Sequence, residues 1–240
     1  MAASAARRRR SRRTRLSRSA KTMLADPSTP LLRGGSFTIP AGVEGRTFVR
    51  SLTFDVPCRS EGRTAAHRER FCFIALLKSL LRTDAASFPA TIVRGEAPDF
   101  IVLRKSGAAI AIEHTDAGEF EYQQHLAETD STDEPVFAPS PGGDGWIGDG
   151  PKRAFAEALS VSFSRKAADS YWRNAPESSE RWLLAYDQTN TGMFVSDAVA
   201  LGFLRSAALE DRTTSRAFTR IYLVRNQDAV LEWHQKESVR

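Results

Sequence analysis

Two short runs constrain this chain's fold more than any other feature. Phe100-Ile101-Val102-Leu103 and Ala108-Ala109-Ile110-Ala111-Ile112 are apolar at every position and are separated only by Arg104-Lys105-Ser106-Gly107. A turn at Lys105-Ser106-Gly107 joins them as a β-hairpin. A strand with one wet face alternates apolar and polar residues, whereas strands apolar on both faces belong inside a covered sheet. The expected architecture is therefore α/β: a mixed β-sheet with this hairpin at its centre and helices on both faces.

The flanking sequence supplies those helices. From Arg63 to Leu81 the residues Phe73, Leu76, Leu77 and Leu80 recur at helical spacing, with Arg68, Arg70 and Lys78 on other faces. Asp149 and Pro151 open a second helix running to about Trp172, with Phe155, Leu159 and Phe163 on one stripe. A third covers about Ser196 to Leu209. Further strands are expected at Ala90–Val93, Trp182–Tyr186 and Phe218–Val224, and the alternation of Leu52, Phe54 and Val56 predicts another. Residues 23–47 are rich in Pro, Ser and Gly and read as an irregular lead-in; residues 129–150, with five glycines and three prolines, read as a flexible insertion. One domain over residues 48–240 results. No apolar run approaches the roughly 18 residues of a membrane helix, and Cys58 and Cys72 have no zinc or disulfide-framework spacing. A reducing cytoplasm is the expected compartment.

The charge is unevenly distributed. The chain carries 34 Lys and Arg against 29 Asp and Glu, net +5, yet residues 1–21 hold nine of the basic residues and no acid. Residues 22–240 are thus net −4. Residues 1–22 form an Arg-rich tail that cannot bury enough apolar surface to fold. Three readings stay open for it: an arm contacting nucleic-acid phosphates through Arg7, Arg8, Arg9, Arg10, Arg12 and Arg13, an organellar targeting peptide, or an extension upstream of a start at Met23.

The hairpin also places chemistry. With Arg104 opposite Ala108, opposed residue numbers sum to 212, and Asp99 faces Glu113. Directly opposed side chains project from one face with β-carbons about 4.5–5.5 Å apart, where like charges destabilise a sheet. A shared divalent cation is the usual reason for such a pair; the bland reading is that Asp99 begins one strand and Glu113 ends another at a solvated edge. A slip of one residue would put them on opposite faces.

Pro98-Asp99, thirteen intervening residues and Glu113-His114-Thr115 after an apolar strand resemble the active-site hairpin of the PD-(D/E)XK nuclease superfamily, the restriction-endonuclease-like fold. The likeness spans about residues 63–187, with a helix before the hairpin and a helix and strand after it. It implies that Asp99 and Glu113 hold Mg²⁺ or Mn²⁺, that Glu69 on the preceding helix supports the metal, and that the substrate is a nucleic acid, most naturally DNA. The lysine that such nucleases carry two residues after the glutamate is here Thr115, on the face of Glu113, with His114 on the other face. Lys166, three residues after Phe163, is the leading candidate for the missing cation, followed by Arg153 and Gln123. For Glu69 the alternative is a helix-dipole role only. Two functions are compatible with these residues: a metal-dependent phosphodiesterase, or a catalytically inactive nuclease-fold module that binds nucleic acid or a protein partner.

Overall fold

Among the described residues, seven strands form a single sheet whose spatial order is also the chain order: β1 (Ser36–Ile39), β2 (Ala90–Arg94), β3 (Phe100–Arg104), β4 (Ala109–Ala117), β5 (Glu180–Asp187), β6 (Arg220–Val224) and β7 (Val230–His234). The computed structural model describes residues 28–57, 62–83, 88–118, 148–177, 179–189, 191, 194–210 and 216–235. β1 to β4 pair antiparallel, β4–β5 and β5–β6 pair parallel, and β6–β7 pair antiparallel. Parallel neighbours need a crossover, and the two crossovers are α3 (Gly150–Lys166) and α4 (Asp197–Glu210), packed against each other on one face. The opposite face carries α1 (Gly42–Ser51) and α2 (Ala65–Thr83). The protein is thus α/β with a mixed sheet between helices.

Alternation along β4 sorts its side chains. Ile110 and Ile112 join the α2-side core with Phe73, Leu76 and Leu77, while Ala111 and Ala117 join the α3/α4-side core with Phe155, Leu159 and Phe163. The Phe73 and Phe100 rings stack across the first interface, 4.3 Å between centroids and 17° between planes, adding specific ring geometry to the area buried. β3 is covered on the α2 side by this contact, but Leu103 on its other face is 42% exposed, so that face of the hairpin's first strand is open.

The lead-in expected at 23–47 is structured over its described part. Residues Thr29–Leu32 make a 3-10 turn, Ser36–Ile39 form edge strand β1, and α1 follows. Residues 52–56, expected as a strand, are not one. Their alternation is real, with Leu52 buried and Phe54 packed on the core, but their carbonyls are taken by α2: Arg70 Nη2 donates to Asp55 O at 2.7 Å and Lys78 Nζ to Leu52 O at 2.9 Å. A backbone so engaged needs no sheet partner. The helix expected from Pro151 to Trp172 ends at Lys166; Ala168 is extended, and Asp169–Trp172 form a separate 3-10 turn. Asp149 sits at the N-cap position without capping, its carboxylate paired with Lys152 at 2.7 Å. The Arg-rich tail and residues 129–147 of the expected insertion lie outside the described residues.

The turn between β2 and β3 fixes the start of the hairpin's first strand. Gly95 N donates to Asp99 O at 2.8 Å, and a Cβ at Gly95 would overlap the Pro98 carbonyl oxygen. Gly95→Ala must therefore push backbone against backbone, at a cost of about 1–3 kcal/mol. A melting temperature lower by about 2–4 °C per kcal/mol is expected; an unchanged thermal unfolding curve would refute that close approach.

Candidate functional site

The hairpin register is the one that sums to 212. Phe100 pairs with Ile112, Ile101 with Ala111, Val102 with Ile110 and Leu103 with Ala109, and Arg104 N donates to Ala108 O at 3.0 Å. The loop closes through Gly107, whose φ of 84° suits glycine. One step past the paired residues, Asp99 and Glu113 interlock: Asp99 N donates to Glu113 Oε2 at 3.2 Å and His114 N to Asp99 Oδ2 at 2.8 Å. Both side chains are buried, Glu113 at 2% and Asp99 at 9% exposure.

Each acid has a cation beside it. Lys166, in the last turn of α3, ion-pairs with Glu113 Oε1. Its position is fixed twice over, by the Tyr171 ring at 4.1 Å from Nζ and by Trp172 Nε1, which donates to the Lys166 carbonyl at 3.0 Å. That indole satisfies one of the carbonyls a helix end leaves without an intrahelical partner. On the other side, Arg94 at the end of β2 ion-pairs with Glu69 of α2, and its Nη1 lies 3.6 Å from Asp99 Oδ1. Glu69 thus reaches the acid pair through Arg94. Thr115, two residues after Glu113 and buried, accepts a hydrogen bond from Arg165 Nη2 at 2.8 Å. Glu113 and Thr115 therefore both meet the end of α3.

Burial and crowding shape the electrostatics. The Asp99 carboxyl is pushed up to about 7, first by desolvation and then by Glu113 and Glu69, against the His114 amide and Arg94. Glu113 is also raised by desolvation, opposed chiefly by Lys166. His114, on the α2 face, is driven down to about 3 by burial and by the neighbouring Lys166, Arg68 and Arg94 charges, so its imidazole is neutral. Its Nε2 has no hydrogen-bond partner within the described residues; Asp116 Oδ1 is 3.7 Å away. Asp116 is held by Arg68 at 3.1 Å and by Gln188 at 3.0 Å.

Sequence reasoning named Asp99, Glu113, Thr115, Lys166 and Glu69, and all five lie in one cluster. It missed Arg94 and Arg165. Arg165 precedes Lys166 but lies off the Phe155–Phe163 stripe, while Arg94 ends a short strand with no motif to mark it. Arg153 has no contact here with the acid pair, and Gln123 and the phosphate-contact arginines Arg7, Arg8, Arg9, Arg10, Arg12 and Arg13 lie outside the described residues. Trp172 and Trp182 are both buried in the cores.

The donor set suits a hard cation only in an open form. Among the described residues no three His, Cys, Asp or Glu side chains group so as to hold a metal ion. Mg²⁺, however, keeps several of its waters and is commonly held by one or two carboxylates, and Asp99 and Glu113 offer two buried ones. No family model matches the chain, and no match was found among curated proteins or solved structures.

Proposed function

We propose that the protein is a divalent-metal-dependent phosphodiesterase acting on DNA, with a restriction-endonuclease-like core. The observation that carries this reading is the buried, interlocked Asp99–Glu113 pair with Lys166 bound to it. Two neighbouring desolvated carboxylates are costly to a fold, and a divalent cation is the partner that offsets both charges. The order α2, β2, β3, β4, α3, β5 further supports the reading, with β1, β6 and β7 added outside it. The resulting seven-stranded sheet is larger than is typical of that superfamily.

Asp99 and Glu113 would hold Mg²⁺ or Mn²⁺, and such an ion lowers the pKa of a water and neutralises charge developing on the phosphoryl group. The chain's own residues supply the rest. Lys166 holds Glu113 in place and brings a fixed positive charge to the site where the sequence has no motif lysine. Thr115 Oγ1, accepting from Arg165, keeps its own proton to orient a water. Arg94 links Glu69 to Asp99 and sets the Asp99 carboxylate against the His114 amide.

One observation favours the second reading, a non-catalytic binding module: Lys166 and Arg94 already stand against the acids, as internal cations would in a site that needs no metal. Calorimetric titration with Mn²⁺, paired with a cleavage assay, separates the two. Metal binding that disappears in Asp99→Asn, together with cleavage that disappears with it, is the expected result. Metal binding without cleavage of any DNA form supports the module.

A further inference from the structure

On the α2 face of the sheet, across the sheet from the Glu113 and Lys166 side chains, lies a cavity of about 230 Å³ whose chemistry the proposed reaction does not use. Its wall is a run of three rings: Phe54 and Phe71 are 5.3 Å apart between centroids, and Phe71 and Tyr186 are 5.7 Å apart. Arg63 and Arg68 line it as well. Arg68 is occupied by Asp116. Arg63 Nε is shut off from solvent yet has no hydrogen-bond partner among the described residues, and an unsatisfied buried donor of that kind is costly until an acceptor reaches it.

The cavity and the acids share one end of the sheet, the carboxyl end of β4, on opposite faces. Tyr186 pairs with Asp116 across β4 and β5, and Asp116 is three residues beyond Glu113, roughly 10 Å along the strand and on the opposite face. Arg68 is next in sequence to Glu69, which reaches Asp99 through Arg94. Its volume is below the roughly 300–1,000 Å³ of pockets that enclose a whole drug-sized ligand, so it suits one ring system with the remainder of the ligand outside. Aromatic faces accept any nucleobase by stacking, and a guanidinium at the rim is the side chain best shaped for a phosphate.

We propose that this cavity is a nucleotide subsite, in which one base lies against the Phe54–Phe71–Tyr186 wall while Arg63 takes the attached phosphate. The identification of the ring as a nucleobase rests on the nuclease reading, since a nucleic acid held at the acids would cross the same end of the sheet to reach this face.

Calorimetric titration of the full chain in metal-free buffer tests it, with 2′-deoxyadenosine 5′-monophosphate as ligand and deoxyribose 5-phosphate as the base-less control. The nucleotide is expected to bind at least about tenfold more tightly than the sugar phosphate, and Arg63→Gln to lose about tenfold in nucleotide affinity. The Arg-rich N-terminus contributes equally to both ligands and both proteins. Phe54→Leu is expected to erase the preference for the nucleotide while leaving sugar-phosphate affinity in place, and it decides the matter should Arg63→Gln fail to fold. Equal affinity for the two ligands, or a preference that survives Phe54→Leu, would overturn the subsite. Nucleotide preference in a protein that cleaves nothing would leave the subsite standing and remove the nuclease reading; cleavage without that preference would do the reverse.

Discussion

Asp99→Asn is expected to raise the melting temperature at pH 8 in EDTA by about 5 °C or more, and the gain should shrink steadily as the pH is lowered toward 4. The sign follows from the direction of the shift. Burial and the Glu113 and Glu69 charges push the Asp99 carboxyl from its ordinary 3.8 up to about 7. A carboxyl raised in the folded state favours folding while it is protonated, and that advantage is lost as pH rises through the folded value. Between about pH 4 and pH 7 the unfolded chain ionises freely and the native chain does not, so the native protein loses stability with each step of pH. At roughly 1.4 kcal/mol per pKa unit the whole effect is of order a few kcal/mol. Asparagine is the permanently neutral counterpart and still accepts from the His114 amide. A variant no more stable than the wild type at pH 8 would show that the pair carries no such cost, removing the electrostatic reason for a metal.

Removing Lys166 should have the opposite sign. Lys166→Met leaves Glu113, 2% exposed, without its only ion-pair partner among the described residues, and stripping one member from a buried pair costs about 3–5 kcal/mol. At about 2–4 °C per kcal/mol for a chain of this size, the melting temperature at pH 8 should fall by roughly 10 °C. The loss should be smaller at pH 5, where a Glu113 already raised by burial can protonate. Adding Glu113→Gln to Lys166→Met should recover most of the lost stability, because the orphaned charge is gone. A double variant as unstable as the single one would mean that Lys166 acts through its packing on Tyr171 and not through Glu113.

The parts of this fold legible in the sequence are those where local pattern and burial agree. The hairpin register followed from one assumption about the Lys105-Ser106-Gly107 loop, which set Asp99 opposite Glu113, since runs apolar on both faces do not by themselves select a register. Lys166 was found because it continues the Phe155–Phe163 stripe onto the sheet. What was illegible was set by partners distant in sequence. β1 and β7 are short edge strands with one neighbour each, and α1 contains Gly42 and Gly45 and begins at Ala41 with no side-chain cap, so none of them carries a strong local signal. Residues 52–56 have the alternation of a strand but give their carbonyls to Arg70 and Lys78, a choice visible only once α2 is in place. The Arg165–Thr115 and Arg94–Glu69 contacts likewise depend on the angle at which a helix end meets the sheet, which periodicity does not specify.

Turnover at Asp99 and Glu113 is measured by the time course of cleavage of labelled single-stranded and duplex DNA in Mg²⁺ or Mn²⁺. Cleavage by the wild-type chain is expected to stop on adding EDTA and to fall by at least about 100-fold in Asp99→Asn, a variant expected to be more stable and not less. Cleavage at the same rate in Asp99→Asn, or no cleavage by the wild-type chain with either cation, would contradict turnover at this pair.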